Sequence, residues 1–389
     1  QINAPDGGVT YFRYDAEGNL WQVEDPRHVV TTYTYNGFGQ LLTQSSPDSG
    51  ATTLTYDSAG RLSTKTLANG RVFTHTWDAI SRPLTRSSGG STETSVYDQG
   101  TYGKGRLTQL IDGTGSTTYT YNADGQLQSQ VTNIDGYQYT TAWGYDSAGR
   151  VATMTYPNSM QLTYGYDAYG RVSSVSSNVS GWSTMASNFL YQPATDQLYA
   201  WKFGNGLSRL TTLDTDGRIT NLAGNGVHNL SFGYNATDTI QSITDAVVPS
   251  LSATYTYDQN DRLDTVTRSG DNQNFDWDQV GNRTAHSRAG QSVTLTTNPN
   301  SNALFTISGS SNRSFGYDSA GNLGSDSGAL GSRTFGYDDF NRTASFYVSG
   351  NLQGWYKSNA LNQRAWKWSA STGYSHYVYG PSGELLYEA

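Results

Sequence analysis

An all-β fold, built as a spiralling array of antiparallel β-hairpins, is the class that three observations in this sequence predict. A seven-residue run recurs along the chain, as in "YNGFGQL" at Tyr35, "YDSAGRL" at Tyr56, "YNADGQL" at Tyr121 and "YDAYGRV" at Tyr166. An alternating stretch such as "TYTY" precedes many copies, the period-two signature of a half-buried strand. Apolar residues are scarce. They make up 35%, much of it from 29 Tyr, and counting the 43 Gly in place of Tyr gives roughly 39%, below the roughly 45–50% of ordinary globular chains. Such a chain has material for a thin wall with water on both sides and not for a thick dry core.

With the aromatic of each run as position zero, the units fall at 14, 35, 56, 77, 97, 121, 145, 166, 191, 213, 234, 257, 277, 298, 317, 337, 358 and 379, a period of about 21 residues. The aromatics are Tyr14, Tyr35, Tyr56, Trp77, Tyr97, Tyr121, Tyr145, Tyr166, Tyr191, Tyr234, Tyr257, Trp277, Tyr317, Tyr337 and Tyr379; Leu213, Asn298 and Ser358 stand in the other three units. Asp or Asn follows in most copies. Four places on comes a residue suited to positive φ, namely Gly18, Gly39, Gly60, Gly125, Gly149, Gly170, Gly217, Gly281, Gly321 and Gly383, with Asn or Asp in most other units and Ser81 as an exception. An Asp opening a type I turn and a Gly in the left-handed region specify a bulged hairpin. On that register Gly60 and Gly149 are forced to positive φ and Gly50 is not. Tyr56 is expected opposite Leu62, and Asp57 beside Arg61, a pair repeated at Asp78/Arg82, Asp146/Arg150, Asp167/Arg171, Asp214/Arg218, Asp258/Arg262 and Asp338/Arg342. Charged pairs of this kind set register more than they stabilise.

Two strands per unit make about 36 strands, a ribbon on the order of 170 Å long at a spacing of about 4.8 Å. Strand twist forces such a ribbon to coil. Coiling also answers the exposed-edge problem if each turn of the spiral pairs with the next. The chain is expected to be one continuous repeat region over residues 1–389, less regular at 181–232 and 270–312. Because it lacks an initiator Met and begins just before a repeat, it is also expected to be a fragment of a longer protein.

Composition excludes several function classes. Charged residues are 14% and the net charge is −8, which argues against a nucleic-acid surface. No stretch is apolar for long enough to span a membrane as a helix, no secretory leader stands at Gln1, and with no Cys the chain cannot be held by disulfides.

The run Y-D-x-x-G-R-L with an aromatic two residues earlier resembles the YD repeat of bacterial Rhs proteins, toxin-complex C subunits and animal teneurins. The similarity extends from Phe12 to Leu386 and includes "YDQGTYGKGRL" (Tyr97 to Leu107), which resembles an expanded form, and "DPRHVVTTYTYNGFGQL" from Asp25, a connecting strand with the next hairpin. The resemblance implies a hollow cocoon, a β-solenoid wall that in the bacterial members is secreted and encloses a toxic C-terminal segment. It also implies the partners, which are the downstream toxin or effector segment and the remaining shell or plug segments. Self-cleavage at a D-P-x-G segment does not carry over, because the only Asp-Pro here is Asp25-Pro26, followed by Arg27-His28.

The residues nominate no catalytic, cofactor or metal site, so the chain reads as a non-enzyme with no cofactor. His28, His75, His228, His286 and His376 are dispersed, and His75 takes an aromatic's place two residues before Trp77. "LDTDGRI" at Leu213 holds part of a calcium loop without its later bidentate Glu, and its phase with the other units marks it as another turn. A competing function is an extracellular adhesin or carbohydrate-binding module, with rows of Tyr and Trp stacking on cell-surface glycans.

Overall fold

A computed structural model describes residues 1–329 and 331–389. Among the described residues there are 37 strands, all antiparallel, in a single unclosed sheet, and one helical element, the short turn Pro249–Leu251. Each strand pairs with its neighbours in sequence. In a representative unit, Gly50–Tyr56 turns through Asp57 to Gly60 into Leu62–Thr66, with Tyr56 opposite Leu62 and a bulge between Thr55 and Tyr56.

The turn is closed by backbone and side chain together. The Asp57 amide donates to the Arg61 carbonyl at 2.9 Å and the Gly60 amide to the Asp57 carbonyl at 3.0 Å. The Asp57 carboxylate accepts the amides of Ala59 and Arg61, both at 2.9 Å, and the Arg61 Nε at 2.7 Å. All seven expected Asp/Arg pairs form. Gly60 lies at φ 79°, and the units without Gly hold the same geometry with Ser81 (65°), Asp238 (64°), Asp261 (56°), Asn341 (63°) and Asn362 (61°).

Two expectations require correction. Gly50 also lies at positive φ, 66°, because it closes the connecting turn at the other end of the hairpin. A Cβ there would press on Ala68 and stand 2.5 Å from the Ser319 carbonyl oxygen, so Gly50 is more confined than Gly60. In the unit assigned to Asn298, the register pairs Thr297 with Leu304. Thr297 therefore replaces the aromatic, Asn298 takes the Asp position, and the loop carries one extra residue. Asn298 acts as the turn opener, accepting the Asn300 amide at 2.9 Å on its side chain.

The two faces of the sheet differ. Position zero and the residue two before it are half-buried on one face. The other face is made of small residues, with hydroxyl pairs such as Thr34/Thr43 and Thr55/Thr64, each at 2.6 Å, and glycines such as Gly144 and Gly165 against Thr153 and Ser174. Few apolar side chains are fully buried; Ile134, Ala365, Trp366 and Val378 form one cluster. The accessible surface is 21154 Å², against roughly 15,000 Å² for a compact chain of 42.3 kDa. That excess marks a wall and not a ball.

Ser81 is the one turn residue of this set with neither the freedom of Gly nor the local bonding of Asn or Asp. Ser81→Gly is expected to raise stability by about 0.5–1 kcal/mol, measured as the free energy of local opening by hydrogen exchange at Thr76 and Thr85. An unchanged or lowered value would contradict the turn assignment.

Candidate functional site: the inter-unit ladder and the seam between turns

Neighbouring hairpins are tied by the polar end of the position-zero aromatic. The Tyr56 hydroxyl donates to the Leu41 carbonyl of the preceding unit at 2.8 Å, and the Trp77 Nε1–H donates to the Leu62 carbonyl at 2.8 Å. Every position-zero aromatic after Tyr14 does the same, at 2.6–3.0 Å. Burial raises the phenol pKa of Tyr121, Tyr145, Tyr257 and Tyr337, which keeps the donated proton in place.

A second set of contacts runs forward along the tips. The guanidinium of Arg61 donates to the Asp78 carbonyl at 2.8 Å and that of Arg262 to the Asp278 carbonyl at 2.7 Å, while Gln40 reaches the Gly60 carbonyl at 2.9 Å. Several of these arginines also lie over the next unit's aromatic, Arg150 at 4.2 Å from the Tyr166 ring and Arg82 at 4.3 Å from Tyr97. Arg82 and the Gly105 amide hold the Asp98 carboxyl down at about 2.

The coil closes on itself through a polar seam. Arg27 donates to the Ser301 carbonyl at 2.7 Å and to Asn298 at 2.9 Å, across 274 and 271 residues. Asn69 bonds Asn341 across 272 residues, Arg262 bonds Asp6 across 256, and Arg342 bonds Glu93 at 2.8 Å across 249. Among the last units the separation ranges from 222, where Lys357 meets Asp135 at 3.0 Å, to 249, where Gln130 donates to the Tyr379 carbonyl at 2.7 Å. In most of these contacts a hairpin tip of the second turn meets a connecting loop of the first. The turns therefore abut end to end and do not pair edge to edge as expected, because the strands run along the spiral axis and present their ends to the next turn. Between the loops of Arg27 and Asn302 lie 25 strands, a circumference of roughly 120 Å and a diameter of roughly 40 Å at about 4.8 Å per strand.

Glu93 is the most enclosed charge of the seam, 5% exposed, gripped by Arg86 Nε at 2.8 Å and by Arg342 from the other turn. Beside it Phe340 sits against Phe73, ring centroids 6.4 Å apart, and under Arg86 at 4.9 Å. Equivalent tip residues of the first turn have no such socket. Phe38 is 91% exposed, Ile80 71% and Tyr169 83%.

Asp214 uses one oxygen for the Asp216 and Arg218 amides and the other for the Arg218 Nε at 2.8 Å, as Asp57 does with Arg61. His75 stands in a strand opposite Arg86, and burial lowers its pKa. Among the described residues no group of three or more His, Asp or Glu converges as a metal site, and no helix is long and apolar enough to cross a membrane.

The family model described as RHS Repeat matches residues 14–52, 56–93, 121–159 and 145–179. RHS repeats thus occupy about a third of the chain, within its first 179 residues. The coil is similar to part of the Tc holotoxin pore of Photorhabdus luminescens, with a TM-score of 0.81 at 16% identity over 96% of this chain and 22% of that one. It is similar also to a TcdB2–TccC3 crystal structure, with a TM-score of 0.71 at 15% identity over 98% of this chain and 27% of that one. At these identities the likeness establishes the fold, and this chain spans about a quarter of the length of the structures it matches. No curated protein sequence matches it.

Replacing Glu93 by Gln leaves Arg86 and Arg342 without their shared counter-charge. Because both arginines keep partial solvent access, the expected loss is about 2–3 kcal/mol, below the roughly 3–5 kcal/mol of a fully buried broken pair. Denaturant unfolding checks it, and a loss under about 0.5 kcal/mol would show that this grip does not hold the seam.

Proposed function

We propose that this chain is a stretch of shell wall whose function is to enclose a toxic or effector segment of its own longer protein and to exclude other molecules from it. The observation that carries this reading is the coil itself, which returns on itself after 25 strands and seals the return with tip-to-loop contacts. Allowing roughly 10 Å for the layer of side chains leaves a lumen of roughly 30 Å, wide enough for an unfolded or partly folded segment. The coil has two rims. The first-turn tips carrying Phe38, Ile80 and Tyr169 match the kind of knob that Phe340 places in a socket one turn on, so further shell or plug segments of the same protein are the partners these rims fit. A wall of this kind has no chemistry of its own to perform, and the similarity to toxin complexes supports secretion.

The natural full-length protein provides the test. Its enclosed segment should resist added protease, and Glu93→Arg, which places a third cation between Arg86 and Arg342, should speed cleavage of that segment by at least about tenfold, roughly 1.4 kcal/mol in the opening equilibrium. Equal cleavage rates in the two proteins, with the wall itself intact in both, would refute the enclosure.

A further inference from the structure

His75 interrupts a row of aromatics at the point where the two turns grip each other. The position two residues before the zero residue holds an aromatic in most other units, such as Tyr33, Tyr119 and Tyr164. In the strand Val72–Trp77 it holds a histidine, a side chain whose charge changes between pH 5 and 8.

Strand pairing sets His75 directly opposite Arg86. Arg86 ties the first turn to the second. Its Nε donates to Glu93 at 2.8 Å, its terminal nitrogen donates to the Asn362 side chain of the second turn at 3.0 Å, and its guanidinium lies 4.9 Å from the Phe340 ring. Glu93 accepts Arg342 of the same second-turn tip at 2.8 Å. Phe73, two residues before His75 on the same strand face, packs against Phe340. His75 is therefore flanked by the two first-turn side chains, Phe73 and Arg86, that hold this tip.

The charges that reach His75 are of one sign. Lys65 of Leu62–Thr66 lies on one side and Arg86 of Pro83–Ser88 on the other. Glu93 stands beyond Arg86 and is shared between Arg86 and Arg342. On the tip, Asp338 is turned to Arg342 at 2.7 Å and Asp339 to the Ser91 hydroxyl at 2.7 Å. Burial, then Arg86 and Lys65, lowers the His75 pKa below its usual 6.5. The opened chain therefore takes up the proton more readily than the closed one. Stability owed to the neutral imidazole is complete above about pH 6.5 and is lost as the pH falls below it.

We propose that His75 is an acid-sensitive latch of the seam: once protonated it faces Arg86 as a second cation, draws that guanidinium off Glu93 and loosens the tip carrying Phe340 and Arg342. Like charges directly opposite across a strand pair are destabilising. The latch acts on the joint between turns, whatever the wall encloses. His286 supplies the internal comparison. It stacks on Phe275 at 4.8 Å beside Arg288, which holds Asp271 at 2.6 Å, and burial lowers its pKa too. Arg268, Asp271 and Arg288 all belong to the second turn, so a proton on His286 strains no contact between turns.

Hydrogen exchange of the whole chain at pH 7.5 and pH 5.0 tests the latch, read as protection factors so that the intrinsic pH dependence of exchange is removed. Protection across Pro83–Ser88, Ser91–Tyr97 and the tip amides of Asn341 and Arg342 should fall by about two- to fivefold at pH 5.0, the range for unfavourable pairs facing across strands. His75→Phe, which restores the aromatic of other units, should hold protection equal at both pH values. His286→Phe should leave the fall intact, and His75→Lys, with a permanent charge, should show the loosened seam already at pH 7.5. Circular dichroism of each variant checks that the wall is folded. Equal protection at both pH values in the unmodified chain, or a fall that His75→Phe leaves unchanged and that therefore belongs to the seam carboxylates, would overturn the proposal. A fall abolished by His286→Phe would do the same.

Discussion

The hydrogen bond from the position-zero aromatic to the preceding unit's carbonyl is the interaction on which the rest of this wall depends. Strand pairing alone joins neighbours into a ribbon without fixing how one hairpin is set on the next. A donor at the end of a rigid six- or nine-membered ring system, reaching back from one tip to the base of the tip before it, fixes that setting unit after unit. It also explains the choice of residue. Phe is accepted two residues earlier, as at Phe12, Phe232, Phe275, Phe315 and Phe335, but position zero is Tyr or Trp wherever it is aromatic. Packing would be satisfied by any of the three; only Tyr and Trp bring a proton to the carbonyl.

Repetition of that setting produces the coil, and the coil produces the seam. Because the strands stand along the spiral axis, each turn meets the next through loop atoms that are already polar. The seam is therefore built from Arg, Asn, Asp and Glu and needs little apolar surface. A chain too poor in apolar residues for a thick core can still form a large, stable object, since each unit contacts mainly its two neighbours and the turn above or below. The cost is a high surface area.

Much of this was legible in the sequence. The spacing of Tyr56, Asp57, Gly60, Arg61 and Leu62 defines the bulged hairpin, its cross-strand pair and its ion pair. The partner of the tyrosine hydroxyl was not legible, because a carbonyl has no residue identity and the bond spans 13 residues at Tyr317 but 19 at Tyr191. The exclusion of Phe from position zero was the available signal. The length of a turn was equally hidden, since it follows from small rotations summed over 25 strands. Gly50 was misread because it closes the connecting turn, outside the Y-D-x-x-G register, and there takes a φ of 66°; the Ser319 carbonyl that also confines it lies across the seam. The latch had a local sign in His75, which breaks the aromatic row before Trp77, but the tip it bears on, with Phe340 and Arg342, is contributed by the second turn.

Tyr164 and Tyr166 offer the most direct measurement of the central claim, because they lie on the same strand and the same face and differ in one bond. The Tyr166 hydroxyl donates to the Val151 carbonyl at 2.7 Å, whereas Tyr164 sits at the position where other units accept Phe. Native-state hydrogen exchange across Val151–Thr155 and Gln161–Tyr166 should show Tyr166→Phe lowering the local opening free energy by about 1 kcal/mol and Tyr164→Phe changing it by less than about 0.3 kcal/mol. Equal effects from the two substitutions, or none from Tyr166→Phe, would contradict the claim that the donated proton sets each hairpin on the one before it.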